Sequence, residues 1–203
     1  MQITVTGKSF DVGDSLRQHV ENGLSHAVSK YFSGAHDAAV VLSRDGPHLI
    51  RADITVHPKR AMVVKGAAAA VDPYAAFDGA VERIAKQLRR YKRRLDRHTR
   101  GRDDDAFLPA QQYVMRPESE DDEVPAEAEP AIIAEMPTEI ATLSVGEAVM
   151  RMDLADAPVL MFRNRGNAAL NVVFRRADGN VGWIDPGNVG LADAVGKSPG
   201  ARD

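Results

Sequence analysis

The feature that most limits how this 203-residue chain can fold is a long acidic stretch near its middle. Residues 103–139 hold 12 Asp and Glu against a single basic residue, Arg116, and are rich in Pro and Ala. Within it the acid-rich segment 118–123 cannot bury an apolar core and is expected to stay solvated. We therefore predict a flexible acidic linker at 103–139, with a folded domain before it and a smaller one after it.

Charge is divided unevenly between the two ends of the chain. Residues 1–102 hold 18 Lys and Arg against 10 Asp and Glu, whereas residues 140–203 hold 7 of each. The overall net charge of −3 hides this division. A basic domain indicates a polyanionic partner, and nucleic acid is the commonest one.

Residues 1–102 have the pattern of a β-α-β-β-β-α domain. Apolar spacings of three and four predict two helices. Asp14 or Ser15 is expected to cap the first, and Asp72 the second, with Pro73 at its first helical position. Strands are predicted, from alternating apolar and polar residues, at 3–6, 38–44, 49–57 and 62–68. One face of the third strand is polar, so both helices should cover the other face. This gives an α+β, two-layer sandwich with a four-stranded sheet and two helices on one face.

Residues 140–190 are predicted to form a small α+β domain, and residues 191–203 a tail. Ser144 and Glu147 have the spacing of a capping box, which opens a short helix. The strands that follow at 158–163 and 169–176 are apolar on both faces, and the helix can cover only one of them. These faces could simply be core, but so small a domain has a marginal core, which favours self-association. The candidate dimerisation residues are Val159, Met161, Phe162, Leu170, Val172 and Phe174.

The second helix carries basic residues along one side. Arg83, Lys86, Arg90 and Arg93 fall in one band nearly opposite the apolar stripe, at about 100° per residue. A solvated helix face is the ordinary explanation, but such faces usually mix charges of both signs. Here Asp96 is the only acid between positions 83 and 102. Repulsion among these like charges favours a polyanion that neutralises them, and the fold suits shape recognition of folded RNA.

The sequence contains none of the residue patterns that would favour an enzyme or a metal site. It has no Cys, its six His show no metal-ligand spacing, and it lacks a nucleophile elbow and a Gly-rich phosphate loop. An apolar run of about 18 residues and a secretory signal pattern are both absent. We therefore expect a cytoplasmic protein with no cofactor, no metal, no small-molecule substrate and no membrane partner.

Three segments resemble a known family. They are ITVTGKSFDVGDSLRQHVENGL, then DPYAAFD leading into QLRRYKRR, and last SVGEAVMRMDL with PVLMFRNRGNAALNVVFRRADGNVGWIDP. In this order they are similar to long-form bacterial hibernation promoting factors, which belong with ribosome-associated inhibitors and sigma-54 modulation proteins. The resemblance implies an N-terminal domain in the mRNA and tRNA channel of the small ribosomal subunit, in contact with ribosomal RNA. It also implies a C-terminal domain that homodimerises and joins two ribosomes into an inactive pair, in stress and stationary phase.

The resemblance also implies which side chains face RNA. The helix positions that match are Arg83, Lys86, Arg89, Arg90, Lys92, Arg93 and Arg94, together with Tyr74. Arg97 on the same helix, Lys59 and Arg60 on a turn, and Arg51 on the polar sheet face complete the predicted RNA-binding set.

The leading hypothesis is therefore a non-catalytic translational silencer that acts by steric exclusion. The alternative is a protein-binding modulator of a sigma factor or of another transcription component. An RNA hydrolase is a third class, but it would need a metal or base constellation that the sequence does not offer. For the acidic stretch, one hypothesis is that it keeps the C-terminal domain off RNA by repulsion.

Overall fold

The computed structural model describes residues 1–98 except 9 and 33, residues 106–116 and residues 131–186, with side chains up to residue 94 in the second helix. The N-terminal domain contains four strands and two helices. In chain order they are β1 (Gln2–Lys8), α1 (Asp14–Ser29), β2 (Asp37–Asp45), β3 (Leu49–Lys59), β4 (Met62–Ala70) and α2 (Pro73–His98).

The four strands form one sheet in the order β1-β2-β3-β4. Helix α1 connects β1 to its parallel neighbour β2, whereas β2, β3 and β4 follow one another as antiparallel hairpins. Val40, Ile54 and Val64 are at most 1% exposed, because they point to the face that both helices cover. The two-layer sandwich predicted from the sequence, with one open sheet face, is confirmed.

Helix α2 lies unusually close to β4, the edge strand of the sheet. Its Phe77, Ile84 and Leu88 are completely buried. A Cβ added to Gly66 of β4 would lie 2.6 Å from Cγ1 of Ile84 and 3.0 Å from the carbonyl oxygen of Ala80. Glycine at position 66 therefore permits this close approach, and the opposite side of α2 is left to face solvent.

The two helix starts differ in how well the sequence predicted them. At α2 the Asp72 carboxylate accepts a hydrogen bond of 2.9 Å from the backbone N–H of Ala75, as predicted. At α1 the prediction was wrong, because the N-cap is Gly13, whose position makes no side-chain cap. Asp14 and Ser15 lie in the first turn, where a carboxylate such as that of Asp14 still interacts favourably with the helix dipole.

The second part of the chain forms a five-stranded sheet and one helix, which we call the C-terminal module. Its elements are β5 (Phe107–Met115), β6 (Ile132–Leu143), α3 (Val145–Leu154), β7 (Val159–Asn164), β8 (Leu170–Arg175) and β9 (Val181–Ile184). The strand order is β5-β6-β7-β8-β9, with β6 and β7 parallel and the other neighbours antiparallel. The predicted capping box of α3 is present, with Ser144 and Glu147 exchanging hydrogen bonds of 2.8 and 3.3 Å.

The expected linker is corrected in part. Strand β5 and most of β6 lie within residues 103–139 and pair antiparallel, so the C-terminal module begins before position 140. The physical reason is that 107–115 contains no charged residue and can pair as a strand, while most of the acids lie at 103–105 and 117–130. Those two acidic segments, and the predicted tail at 191–203, lie outside the described residues.

Candidate nucleic-acid interface

The basic side chains of α2 form one exposed surface, which we call the basic row. Arg83, Lys86, Arg90 and Arg93 lie opposite the buried stripe of the same helix, about half a turn from its apolar positions, and the other members widen the surface on either side. Every member with a described side chain is exposed. The members are Arg83, Lys86, Arg89, Arg90, Lys92, Arg93 and Arg94. The side chain of Arg97, also predicted, lies outside the described ones.

Few carboxylates neutralise the basic row. Lys86 forms an ion pair of 2.8 Å with Glu82, and the hydrogen bond from Lys86 lowers the pKa of Glu82. Arg83 donates a hydrogen bond of 2.6 Å to the carbonyl oxygen of Ala67 at the free edge of β4. Among the residues that the structure describes, Lys86 is the only member of the row in an ion pair. The other guanidinium and ammonium groups of the row repel one another, and none of them forms an ion pair with a described carboxylate.

Two of the open grooves that border the row are lined mainly by residues of the N-terminal domain. The first runs along α2 itself. It is lined by Arg83, Lys86, Gln87, Arg89, Arg90 and Arg93. The second passes round the edge of β4 onto the open sheet face, where it is lined by Arg51 and Lys65 as well as by Arg83 and Gln87. A polyanion could therefore contact both the helix and the sheet without a change in the N-terminal domain.

Lys65 was missed in the sequence prediction, although a signal for it exists. It pairs with Thr55 across β3 and β4, and Thr55 follows Arg51 and Asp53 on the polar face of the sheet. Counting alternate residues along β4 from buried Val64 would have placed Lys65 on the same face of the sheet as Arg51. Arg51 itself donates from Nε to both carboxylate oxygens of Asp53 at 3.0 Å, and this hydrogen bonding raises the pKa of Arg51.

The β3–β4 turn does not present its basic residues freely. Arg60 forms a two-pronged ion pair with Glu139 of β6, in which Nε lies 2.6 Å from Oε2. Its guanidinium carbon is also 5.0 Å from the ring centroid of Phe107. Hydrogen bonding raises the pKa of Arg60 and lowers that of Glu139. Lys59 is engaged as well, so the predicted turn residues are partly occupied by other parts of the chain.

Tyr74 lies away from the other predicted residues. It stands at the start of α2, about 22 Å from Arg89 at 1.5 Å per residue. There its ring meets the edge of His19, with 5.1 Å between centroids, and His19 lies 2.8 Å from Asp78. The structure therefore groups Tyr74 with the α1–α2 contact and not with the basic row.

The predicted dimerisation residues divide between the two faces of the module's sheet. Val159, Met161 and Leu170 are 52%, 50% and 41% exposed on the face away from α3, where Val172 and Phe174 lie half-buried beside them. Phe162 is completely buried under α3, so its prediction as a surface residue was wrong. Every residue from 159 to 162 is apolar, and the sequence pattern therefore could not tell the two faces apart.

One further residue belongs to this outer face. Ile184 of β9 pairs with Val172 and is 54% exposed. Beside it the ring of Phe174 lies over Gly182, where a Cβ would come within 2.2 Å of the ring. Ile184 was not among the predicted dimerisation residues.

Two features are absent from the part of the chain that the structure describes. No group of three or more His, Cys, Asp or Glu is placed to hold a metal ion. Likewise, no described helix combines the length and the apolar character needed to cross a membrane.

Comparison with known proteins gives two family matches. The family described as sigma 54 modulation protein / S30EA ribosomal protein matches residues 3–96, and the model of its C terminus matches residues 127–182. The chain is similar to a ribosome hibernation promotion factor of Rhizobium meliloti, with 41% identity over 93% of this chain and 99% of the relative. A protein of the same name from Bradyrhizobium diazoefficiens is 39% identical over 98% and 100% of the two chains. Among solved structures, the N-terminal domain of Thermus thermophilus Protein Y has a TM-score of 0.41 and 34% identity, over 45% of this chain and 99% of that one.

Proposed function

This chain belongs to the sigma 54 modulation protein / S30EA ribosomal protein family, and on that premise we propose that it is a cytoplasmic ribosome hibernation factor. The N-terminal domain occupies the mRNA and tRNA channel of the small ribosomal subunit, contacts ribosomal RNA and inhibits translation. The C-terminal module pairs with that of a second copy and brings two ribosomes together. The names of two relatives, which are similar over nearly their whole length, support this role.

The observation that carries the proposal is the exposed basic row of α2. Its arginines at 89, 90, 93 and 94 stand on one surface, and within the described residues none of them is neutralised by a carboxylate. Phosphate groups offset such a surface, because each contact releases a condensed counterion and replaces repulsion with attraction. Arg also forms paired hydrogen bonds to phosphate oxygens, so the row suits the backbone of folded RNA.

The proposed mechanism requires no bond to be made or broken. A rigid sandwich held in the channel by phosphate contacts excludes mRNA and tRNA because two bodies cannot share the same space. Phosphate contacts fix position without reading sequence, which suits a ribosomal RNA surface of constant shape. The other side of the helix that carries the row is buried in the core through Phe77 and Leu88. The helix is therefore already fixed before binding, and little backbone conformational entropy is lost when RNA binds.

The outer face of the C-terminal module supports pairing with a second copy. Its apolar residues are contributed by three neighbouring strands, which makes the face continuous. They are Val159 and Met161 of β7, Leu170, Val172 and Phe174 of β8, and Ile184 of β9. A contiguous exposed apolar face is uncommon in a monomer and typical of an association surface. A two-fold pair would cover the face of each copy with that of the other.

Co-sedimentation with purified small ribosomal subunits tests the RNA half of the proposal. The variant Arg89→Glu with Arg90→Glu reverses two charges in the basic row. We expect this variant not to pellet with the subunits at moderate salt. Where its binding remains measurable, the plot of log binding constant against log salt concentration should have a slope smaller in magnitude by about 2. The matched control, Lys8→Glu with Lys30→Glu, makes the same charge change at two exposed sites off α2 and should pellet like the wild type.

The same experiment separates the proposal from a protein-binding modulator of transcription. A modulator that recognises protein should bind its partner equally well in both charge variants and after nuclease treatment. A wild-type chain that stays in the supernatant at moderate salt would refute ribosome binding.

A further inference from the structure

Helix α3 contributes to two different cores. Ala148 and Met152, one turn apart, are completely buried in the C-terminal module's own core with Phe162. Met150 and Leu154, also one turn apart, are 8% and 4% exposed and instead belong to the core of the N-terminal domain. Positions two apart on a helix differ by about 200°, so the two pairs point in nearly opposite directions. The burial of the second pair therefore depends on the N-terminal domain.

Polar contacts surround this apolar centre. Arg151, 7% exposed, donates a hydrogen bond of 3.2 Å to the carbonyl oxygen of Ala61 in the β3–β4 turn. Tyr91 of α2 is 6% exposed beside it, and burial raises the pKa of the Tyr91 hydroxyl. The pair between Arg60 and Glu139 lies at the rim. Helix α3 and β6 are thus docked on the β3–β4 turn and on one side of α2.

The docked module stands in part of the predicted RNA surface. Asp153 of α3 shares a groove with Arg90 and Arg94 of the basic row. Asp156, just after α3, borders the groove that contains Arg83 and Arg51. A phosphate chain that contacts both the basic row and the β3–β4 turn has to pass where α3 and these carboxylates lie. The rest of the basic row remains open on the other side of the helix.

We propose that the C-terminal module is a built-in competitor of ribosomal RNA: in the free chain α3 docks beside the basic row, and full engagement of RNA requires α3 to leave. The inference rests on the proposed function, since it concerns the same basic surface. When docked chains outnumber undocked chains by a given ratio, the apparent affinity for RNA is lower by about that ratio. The outer face of the module's sheet points away from α3, so docking leaves that face accessible to a second copy.

Thiol reactivity measures docking without any ribosome. The chain has no Cys, so a single introduced thiol reports on one position only. In the free protein we expect Leu154→Cys, and independently Met150→Cys, to react with a thiol reagent about tenfold more slowly, or slower still, than Gly146→Cys. Gly146 is the matched control because it lies on the same helix, is exposed and has open space around its Cβ position. Equal rates would show that the docked state is not populated and would overturn the inference.

Affinity for purified small ribosomal subunits tests the competition. The variant Met150→Gln with Leu154→Gln removes the docking contacts without changing charge, and it leaves the module's own core at Ala148 and Met152 intact. It should bind the subunits more tightly than the wild type, by the same factor as the thiol protection. Gly146→Gln should bind like the wild type. Unchanged affinity of the double variant, with the thiol protected, would overturn the competition but leave ribosome binding standing. Failure of every variant and of the wild type to bind would instead refute the proposed function.

Discussion

Two adjacent residues of β7 should respond in opposite ways to truncation, because a strand sends successive side chains to opposite faces. Phe162 is completely buried in the core of the C-terminal module, whereas Met161 is 50% exposed on its outer face. We predict that Phe162→Ala lowers the free energy of unfolding of the module by about 3–5 kcal/mol. Met161→Ala should leave that free energy nearly unchanged and weaken the pairing of two copies.

The size of the Met161 effect follows from its exposure. Complete burial of a Met side chain contributes roughly 1.5–3 kcal/mol, so covering the exposed half should contribute about 0.8–1.5 kcal/mol. A two-fold interface contains each residue twice. Met161→Ala should therefore weaken the dimer by roughly 1.5–3 kcal/mol, which raises the dimer Kd by about tenfold to a hundredfold.

Analytical ultracentrifugation over a range of concentrations gives the dimer Kd, and urea unfolding followed by the fluorescence of Trp183 gives the stability of the module. Val181→Ala is the matched control, since Val181 is 42% exposed on the same sheet but lies on the face towards α3. It should leave the Kd unchanged. A Kd of Met161→Ala equal to that of the wild type, or a stable Phe162→Ala, would refute the assignment of the two faces.

Two further predictions concern stability. Gly66→Ala should destabilise the N-terminal domain by about 1–3 kcal/mol through overpacking against Ile84, as measured by urea unfolding. The control Gly146→Ala should not be destabilised, because a Cβ at position 146 meets open space. Equal stabilities of the wild type and Gly66→Ala would contradict the close approach of α2 to β4. Ser144→Ala should cost about 1 kcal/mol near neutral pH through loss of the helix cap. Burial opposes ionisation of Glu147, but hydrogen bonds from Ser144 and the nearby Arg165 prevail and hold its pKa below the ordinary 4.5. The stability that the Glu147 carboxylate contributes is therefore complete above that value and is lost as the pH falls through the lower pKa of the folded state. The difference in thermal stability between the wild type and Ser144→Ala should accordingly narrow in acid. A difference that stays constant with pH would contradict this role of Glu147.

The docked C-terminal module indicates a role for one residue of the acidic stretch. Glu139 is paired directly to Arg60 of the N-terminal domain. Asp153 and Asp156, outside the acidic stretch, pair with Arg175 of their own module and line grooves that they share with basic residues of the N-terminal domain. Repulsion from RNA was the predicted role of the acidic stretch. In the structure an acid at position 139 instead attracts the N-terminal domain, and that attraction helps to hold the module next to the surface for which RNA would compete.

Patterns that repeat within one element were read correctly from the sequence. The β-α-β-β-β-α order, the capping box at Ser144 and the opposition of basic and apolar sides on α2 all depend on residues within a few positions of one another. Backbone geometry converts such spacings directly into shared faces. At the α1 cap and at Phe162 the predictions were wrong because the local spacing allowed more than one answer.

The order of residues along the chain was enough to show which side chains share a helix side or a strand face, and hence that a crowded basic surface must exist. The residues that stand beside that surface come from distant parts of the chain and became known from the three-dimensional fold. Arg60 and Glu139 are 79 positions apart, and Arg151 and Ala61 are 90 apart. Such contacts form because two separately folded surfaces fit one another in shape and charge, and no periodicity along the chain encodes that fit.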